Sequence, residues 1–155
     1  MRVVLQKVSS AGVTVGDEYE KSIDAGFVAL VGVSDSDGDA EVGWVARKMA
    51  HLRVFADDND KMNLGILDVS GSILSISQFT LFADLRKGNR PSFVTAGEPT
   101  HARRVWEQLN ETLSTEYGLH VEPGIFGAHM QVRLVNDGPV TIVIDTDTDM
   151  KHANS

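Results

Sequence analysis

Two short stretches of this chain carry residues able to do chemistry through main-chain groups. The first, Asn136-Asp137-Gly138-Pro139-Val140-Thr141, opens as an Asp-Gly turn and then puts a proline where a strand should donate a hydrogen bond. Gly138 can take positive φ without a Cβ clash, and Pro139 lacks an N–H and is the residue type that readily accepts a cis peptide. A turn of this kind directs carbonyls outward, and carbonyls locked in one direction can read the substituents of a small ligand with no side chain involved. An ordinary strand-connecting turn would use the same residues. The second stretch, Ser72 to Leu81, is β-rich until its alternation stops at Ser77-Gln78 and sets the hydroxyls of Ser77 and Thr80 around an amide and an aromatic. In a buried strand, ladder neighbours would satisfy those hydroxyls. As a site, the strand end offers the backbone N–H groups of Phe79 and Thr80 to a developing negative charge.

Other chemistries find less support. The five histidines, His51, His101, His120, His129 and His152, include no i,i+4 pair on a helix, and a catalytic metal needs three converging ligands, so no metal is expected. Asp57-Asp58-Asn59-Asp60 lacks the glycine and distal glutamate of a calcium loop and reads as a turn. Ser77 sits between Ile76 and Gln78, not in a Gly-x-Ser-x-Gly elbow. A triad assembled across the fold stays open, because triads are defined by geometry and not by order. Thr80 has no adjacent base to activate it as a nucleophile.

Composition bounds the class. At 155 residues and 42% hydrophobic content the chain suits one domain with a substantial core. It has no cysteine, so thiolate and disulfide chemistry are excluded, and a reducing compartment is permitted. The longest apolar stretch, Phe27 to Val33, is a buried strand and too short to span a bilayer. No signal-peptide pattern follows Met1-Arg2, and a cytoplasmic location is expected, with no membrane partner. A net charge of −8 argues against gripping long nucleic acid, DNA included. The charge is uneven, however: Arg86, Lys87, Arg90, Arg103 and Arg104 cluster, and could meet the few phosphates at one tip of an RNA. A solvated helix and loop face is the plainer account of the same charges.

The elements that must position these residues follow from periodicity. Arg2 to Val15 alternates as a long strand and turns at Gly16-Asp17-Glu18 into a short partner, so a hairpin opens the fold. Gly26 to Val33 is the next strand, and Asp35 to Asp39 caps a helix whose apolar face is Val42, Val45, Ala46, Met49 and Leu52 or Arg53. The strand holding Ser77 to Leu81 comes next. From Ala83 to Pro99 glycines and prolines interrupt regular structure, as in many functional loops. Thr100 is the expected N-cap of a helix packing through Ala102, Val105, Trp106, Leu109 and Leu113 and closing near Tyr117-Gly118. Met130 to Val135 and Val140 to Ile144 then bracket Gly138-Pro139 as a hairpin would. Residues 146–155 read as a mobile acidic tail beyond a domain covering 1–145.

Taken together, Ser77-Gln78-Phe79-Thr80-Leu81 and Asn136-Asp137-Gly138-Pro139-Val140-Thr141 resemble the two signature motifs of the D-aminoacyl-tRNA deacylases. The resemblance extends to Val4-Leu5-Gln6-Lys7-Val8, Lys61-Met62-Asn63-Leu64, Arg90-Pro91-Ser92-Phe93 and Met130-Gln131-Val132, and so spans the chain up to about Asp145. It implies an α+β fold, a compact β-rich single domain of β-barrel-like sheets with two helices. It implies hydrolysis, without a cofactor, of the ester joining a D-amino acid to the acceptor end of tRNA, and of glycine mischarged on tRNA-Ala, with L-aminoacyl esters rejected. In this family the substrate is held by main-chain groups near Ser77, Gln78, Phe79 and Thr80, and the terminal adenine lies against the segment where Phe126 and Met130 stand here. The resemblance also implies a homodimer in which Gly138-Pro139 of one subunit, its bond cis, reaches into the pocket of the other. Lys7 occupies a position where the family commonly has arginine; if that residue braces the turn, lysine keeps the charge and loses the planar fork. A non-catalytic RNA-end binding module and a structural β-rich dimer are the alternatives.

Overall fold

The computed structural model describes residues 1–151. Its sheet is organised by β1 (Arg2–Val15), a long strand that uses both edges. On one edge its second half pairs with β2 (Tyr19–Ile23), from Ala11 opposite Ile23 to Val15 opposite Tyr19, and its first half pairs with β3 (Gly26–Gly32). Both pairings are antiparallel. Helix α1 (Asp39–His51) follows, its start held by the Glu41 carboxylate accepting from the Gly38 N–H at 2.8 Å. Val42, Val45, Ala46 and Met49 are buried along one face, as the spacing predicts, while Leu52 is the C-cap. A small β4–β5 pair (Phe55–Ala56 and Met62–Leu64) flanks the acidic turn at Asp57 to Asp60.

β6 (Ser72–Ser77) lies parallel to β3 and carries β7 (His120–Pro123), also parallel, on its far side. The Tyr19 hydroxyl donates to the Pro123 carbonyl at 2.6 Å and Lys21 lies 3.7 Å from Glu122. These contacts draw β2 toward β7 and curl the mixed sheet into a nearly closed barrel. Helix α2 (Pro99–Thr115) packs Ala102, Val105, Trp106, Leu109 and Leu113 onto the core shared with α1. Its N-cap is Glu98, whose carboxylate accepts from the N–H groups of Thr100 and His101, both at 3.0 Å. Thr100 therefore stands inside the first turn: Pro99, which has no N–H to cap, takes the first helical position, and the cap falls on Glu98, two residues earlier than expected. Gly118, at φ +66, ends the helix segment as anticipated.

Three expectations are corrected. The strand that reaches Ser77 does not continue to Leu81; Phe79–Phe82 is a turn of 3-10 helix. Gly32 makes room for it, since a Cβ there would lie 3.0 Å from Phe82 and 3.1 Å from the Gln78 carbonyl. The Gly138-Pro139 segment is not a hairpin corner. Residues Gln131–Asp145 form one strand, β8, and both of its halves pair antiparallel with β1, Asn136 opposite Val8 and Thr141 opposite Gln6. Asp137 to Val140 stand opposite the single residue Lys7, and Asp137 to Pro139 are extruded while Val140 turns back into the core. A proline without an N–H can sit in a strand only where the ladder is interrupted, and the bulge supplies that interruption. Finally, residues 146–150, expected to begin a mobile tail, form a π-helical turn, Thr146–Met150, with Thr146 buried. The Met1 ammonium donates to Asp37 Oδ1 and Thr146 Oγ1, each at 2.7 Å. The rest of the expected tail, 152–155, lies outside the described residues.

Candidate active site

A cavity of about 280 Å³ opens at the end of the barrel where β3 and β6 finish. Its floor and one wall come from Val31 of β3 and Val33 just beyond it, Ile76 and Ser77 of β6, Gln78 at the cap of the 3-10 turn and Phe79 within it. Opposite stand Ala102 and Trp106 of α2 and the segment Phe126 to Met130, with Val132 of β8 beside it. Most of this lining is apolar, and none of it is Asp, Glu, Lys or Arg.

The polar groups converge at the strand end. The Gln78 N–H donates to the Val31 carbonyl at 2.7 Å, which completes the β3–β6 ladder, and Leu81 N–H returns to the Gln78 carbonyl at 3.3 Å. Between them the N–H groups of Phe79 and Thr80 open the 3-10 turn and have no partner among the described residues. The first donors of a helical turn have no acceptor within it, and they point the positive end of the turn's peptides outward. Here they can meet a carbonyl oxygen as charge develops on it. The Thr80 hydroxyl accepts from the Gln78 side-chain amide, and no ionisable group among the described residues pairs with it.

The aromatic wall is set by turn chemistry. Ala128 N–H donates to the Ile125 carbonyl at 3.2 Å across a turn whose Gly127 has φ +76, a left-handed conformation suited to glycine. The turn brings Phe126 to 5.9 Å from the Trp106 ring. Gly124 N–H donates to the Ser75 carbonyl at 2.9 Å, and a Cβ on Gly124 would lie 2.6 Å from Met130 Sδ; only glycine lets the thioether reach the cavity.

The structure thus gathers Ser77, Gln78, Phe79, Phe126 and Met130 around one cavity. Thr80, exposed, lies one residue past the lining. Gly138, Pro139 and Lys7 are not part of that lining. The Gly138-Pro139 bond is cis, and Asp137, Gly138 and Pro139 are exposed. Around them, Asn136 Oδ1 accepts from the Val140 N–H and Asn136 Nδ2 donates to Thr141 Oγ1, both at 3.1 Å, which ties the neck of the bulge. Lys7 Nζ stands 3.5 Å from the Asp137 carboxylate and 5.7 Å from the centre of the Phe55 ring. Trp106 and His129 escaped the sequence reading as site residues. Trp106 reads as core by its helical spacing, and it is core and cavity wall at once; the placement of His129 depends on the two glycine turns before it. No grouping of His, Cys, Asp or Glu among the described residues could hold a metal ion.

Fold and site together define a small mixed-sheet barrel whose cavity combines an aromatic, uncharged wall with unpaired main-chain donors. Residues 4–145 match the model of the D-Tyr-tRNA(Tyr) deacylase family. A protein from Bifidobacterium animalis subsp. lactis described as a D-aminoacyl-tRNA deacylase is 63% identical over 156 residues, covering 95% of this chain and 98% of the relative. A Thermus aquaticus protein of the same description is 52% identical over 146 residues, covering 94% and 95%. Among solved structures, one described as c-Myc DNA Unwinding Element Binding Protein has a TM-score of 0.87 at 39% identity, covering 94% of this chain and 98% of its own. Another, described as a probable eukaryotic D-amino acid tRNA deacylase, has a TM-score of 0.81 at 15% identity and covers 93% and 98%, a likeness of fold. The chain belongs to the D-Tyr-tRNA(Tyr) deacylase family, a family of hydrolases.

Proposed function

We propose that this protein hydrolyses the ester between a D-amino acid, or glycine, and the terminal ribose of tRNA, in the cytoplasm. The observation that carries this reading is the pair of unpaired N–H groups at Phe79 and Thr80, set at the edge of an aromatic cavity that contains no charged side chain. The terminal adenine stacks in the apolar half, against Phe126 and Met130. The ester carbonyl then lies toward the strand end, where the two N–H groups stabilise the oxyanion formed as water adds. Preorganised donors in a water-poor site contribute on the order of 3 kcal/mol each to such a step. Among the described residues no carboxylate or lysine faces the cavity, and His129 is the one imidazole in its lining. Neither Ser77 to Leu81 nor Asn136 to Thr141 carries a good base for the water's proton, so the substrate's own 2′-hydroxyl assists, and the proton leaves with the ribose 3′-oxygen.

Stereochemical choice falls to Gly138-Pro139 of a partner subunit. Two facts support this reading: the bulge is exposed and extruded from its own sheet, and it is absent from the lining of its own cavity. A closed two-fold pairing gives two identical shared sites. With the amino group and the carbonyl both held, D and L esters differ in what occupies the third position on Cα. A wall there admits hydrogen only, so D-aminoacyl and glycyl esters enter and L-aminoacyl esters do not. Lys7, paired with Asp137 beneath the bulge, supports the wall.

The test is a deacylation assay comparing D-, L- and glycyl-tRNA. Hydrolysis of the D and glycyl esters, with the L ester spared, is the expected outcome; equal cleavage of D and L, or no turnover at all, defeats it. Dilution checks the shared site: activity per subunit falls below the dimer dissociation constant, and a fully active monomer in the ultracentrifuge refutes it.

A further inference from the structure

The cavity accounts for the backbone of Phe79 but not for its side chain. Although its N–H opens the site, the ring is 58% exposed and meets the edge of Phe93 at 5.0 Å and 74°. A large exposed ring, paired with the half-buried Phe93 at the mouth of a site, is a binding surface in need of an occupant.

Beside this pair stands a basic arm. Asp84 and Ser92 exchange main-chain hydrogen bonds, Asp84 N–H to the Ser92 carbonyl at 2.7 Å and Ser92 N–H to the Asp84 carbonyl at 3.1 Å, closing the loop between them. The arm is rooted at both ends near the cavity. It leaves directly from the 3-10 turn and returns into Phe93, and its descending limb is tied down by Thr95 Oγ1 donating to the Phe82 carbonyl at 3.3 Å and Gly97 N–H donating to the Val33 carbonyl at 2.8 Å. Arg86 is committed, since its guanidinium is bidentate on Asp84. Lys87 and Arg90 are exposed and have no carboxylate partner among the described residues, in a chain with 22 acidic and 14 basic residues. Other basic residues, Arg53 and Lys61 among them, likewise have no carboxylate partner among the described residues; what distinguishes Lys87 and Arg90 is that they stand together on a loop rooted at the aromatic pair, where a local positive charge favours an anionic partner.

We propose that Phe79 and Phe93, with Lys87 and Arg90, form a subsite for the nucleotide that precedes the esterified terminal adenosine. Its base stacks on the aromatic pair and its phosphates meet the two cations. The inference rests on the functional reading above and extends it outward along the RNA. Aromatic platforms flanked by a few cations are how single-stranded nucleic acid is held without reading sequence. A duplex would need a broader basic surface, which the net charge of −8 does not provide. The subsite also answers how an acidic protein grips RNA: stacking and two local phosphate contacts at the tip replace long-range attraction.

The experiment compares kcat/KM for one D-amino acid esterified to adenosine and to the dinucleotide cytidylyl-(3′,5′)-adenosine, in wild type, Phe93→Leu and the double variant Lys87→Ala/Arg90→Ala. The wild type favours the dinucleotide, and that preference shrinks about tenfold in each variant. With full-length D-aminoacyl-tRNA, the double variant has a salt dependence shallower by about 1.4 in the log–log slope, two single-strand phosphate contacts fewer. The double variant alters only exposed side chains and keeps the test valid should Phe93→Leu fail to fold. A wild type active on both esters with no dinucleotide preference, or variants with an unchanged preference and salt slope, overturns the subsite alone. Variants that lose dimerisation while keeping the preference assign the patch to a second copy and also overturn it. A wild type inactive on every D ester overturns the functional reading and the subsite with it.

Discussion

The indole Nε1–H of Trp106 donates to the Ser75 hydroxyl at 2.9 Å, joining α2 to β6 beneath the cavity. Trp106 is 4% exposed and Ser75 1%, so no water can replace either partner. That one bond fixes the rotation of the indole and thereby the wall it makes with Phe126. Ser75→Ala leaves a buried donor unmet, at a cost of about 1–3 kcal/mol. Urea unfolding monitored by tryptophan emission should show the loss, and an unchanged midpoint would refute the role given to the bond.

Gly124→Ala tests the other side of the wall. Its Cβ would fall 2.6 Å from Met130 Sδ and 3.1 Å from Ile76 Cδ1, so the flexible thioether must withdraw from the cavity. Overpacking of this kind costs about 1–3 kcal/mol of stability. Because the displaced group lines the adenine side, KM should rise several-fold while kcat falls less. A fall confined to kcat would mean that Met130 does not touch the nucleoside.

Thr80→Ala separates two mechanisms. If main-chain donors and the substrate's 2′-hydroxyl carry the reaction, removal of a hydroxyl bonded only to the Gln78 amide should slow it about tenfold, on the order of 1–2 kcal/mol. Rapid-quench measurement with D-aminoacyl-tRNA decides. A loss of a thousandfold, accompanied in wild type by an acyl-enzyme burst, makes Thr80 the nucleophile.

How much of this site could be read from sequence depends on whether its causes are local. The stripes Val42-Val45-Ala46-Met49 and Ala102-Val105-Trp106-Leu109 were legible because helical spacing alone determines which face is buried. So was the run to Ser77, where alternation stops as the strand does. The 3-10 turn was not, since Phe79-Thr80-Leu81-Phe82 has strand-like composition and turns only because β3 ends in Gly32 and leaves it room. Nor was the bulge. Two β-branched runs around Asp-Gly-Pro look locally like a hairpin, and only β1, more than a hundred residues away, decides by pairing with both runs. His129 reaches the cavity rim through positive φ at Gly127, which the glycine permits but does not announce.

The basic arm has a pH signature. Asp84 is held down to about 2 by the Arg86 side chain and then by the Arg86 N–H. A depressed carboxylate contributes stability that is present above its unfolded value near 3.8 and lost as pH falls through about 2. The arm should therefore keep its conformation throughout the neutral range. Carboxyl NMR of Asp84 with the Arg86 amide as reporter checks this, and titration near the ordinary value in the folded protein would dissolve the pairing.

Gly138→Ala examines the proposed chiral wall without disturbing the cavity. Gly138 sits at φ +139, where an L side chain is strained, and its Cβ would lie 2.7 Å from Val140 Cγ2 and 2.8 Å from the Val140 nitrogen. Val140 is buried and its N–H is bonded to Asn136, so it cannot retreat cheaply; the exposed residues Asp137 to Pro139 must rearrange instead. The flanking pairs, Asn136 with Val8 and Thr141 with Gln6, are ladder contacts outside the extrusion and should survive, so the fold persists while the bulge changes shape. If the bulge reads Cα, the variant should lose discrimination, cleaving L-aminoacyl-tRNA at a rate within about tenfold of the D ester, or lose D activity because the misplaced bulge blocks the pocket. Parallel hydrolysis of D-, L- and glycyl-tRNA by wild type and variant, with circular dichroism to confirm the fold, separates these outcomes. A folded Gly138→Ala protein with wild-type D activity and undiminished rejection of L esters would place the stereochemical wall elsewhere in the molecule.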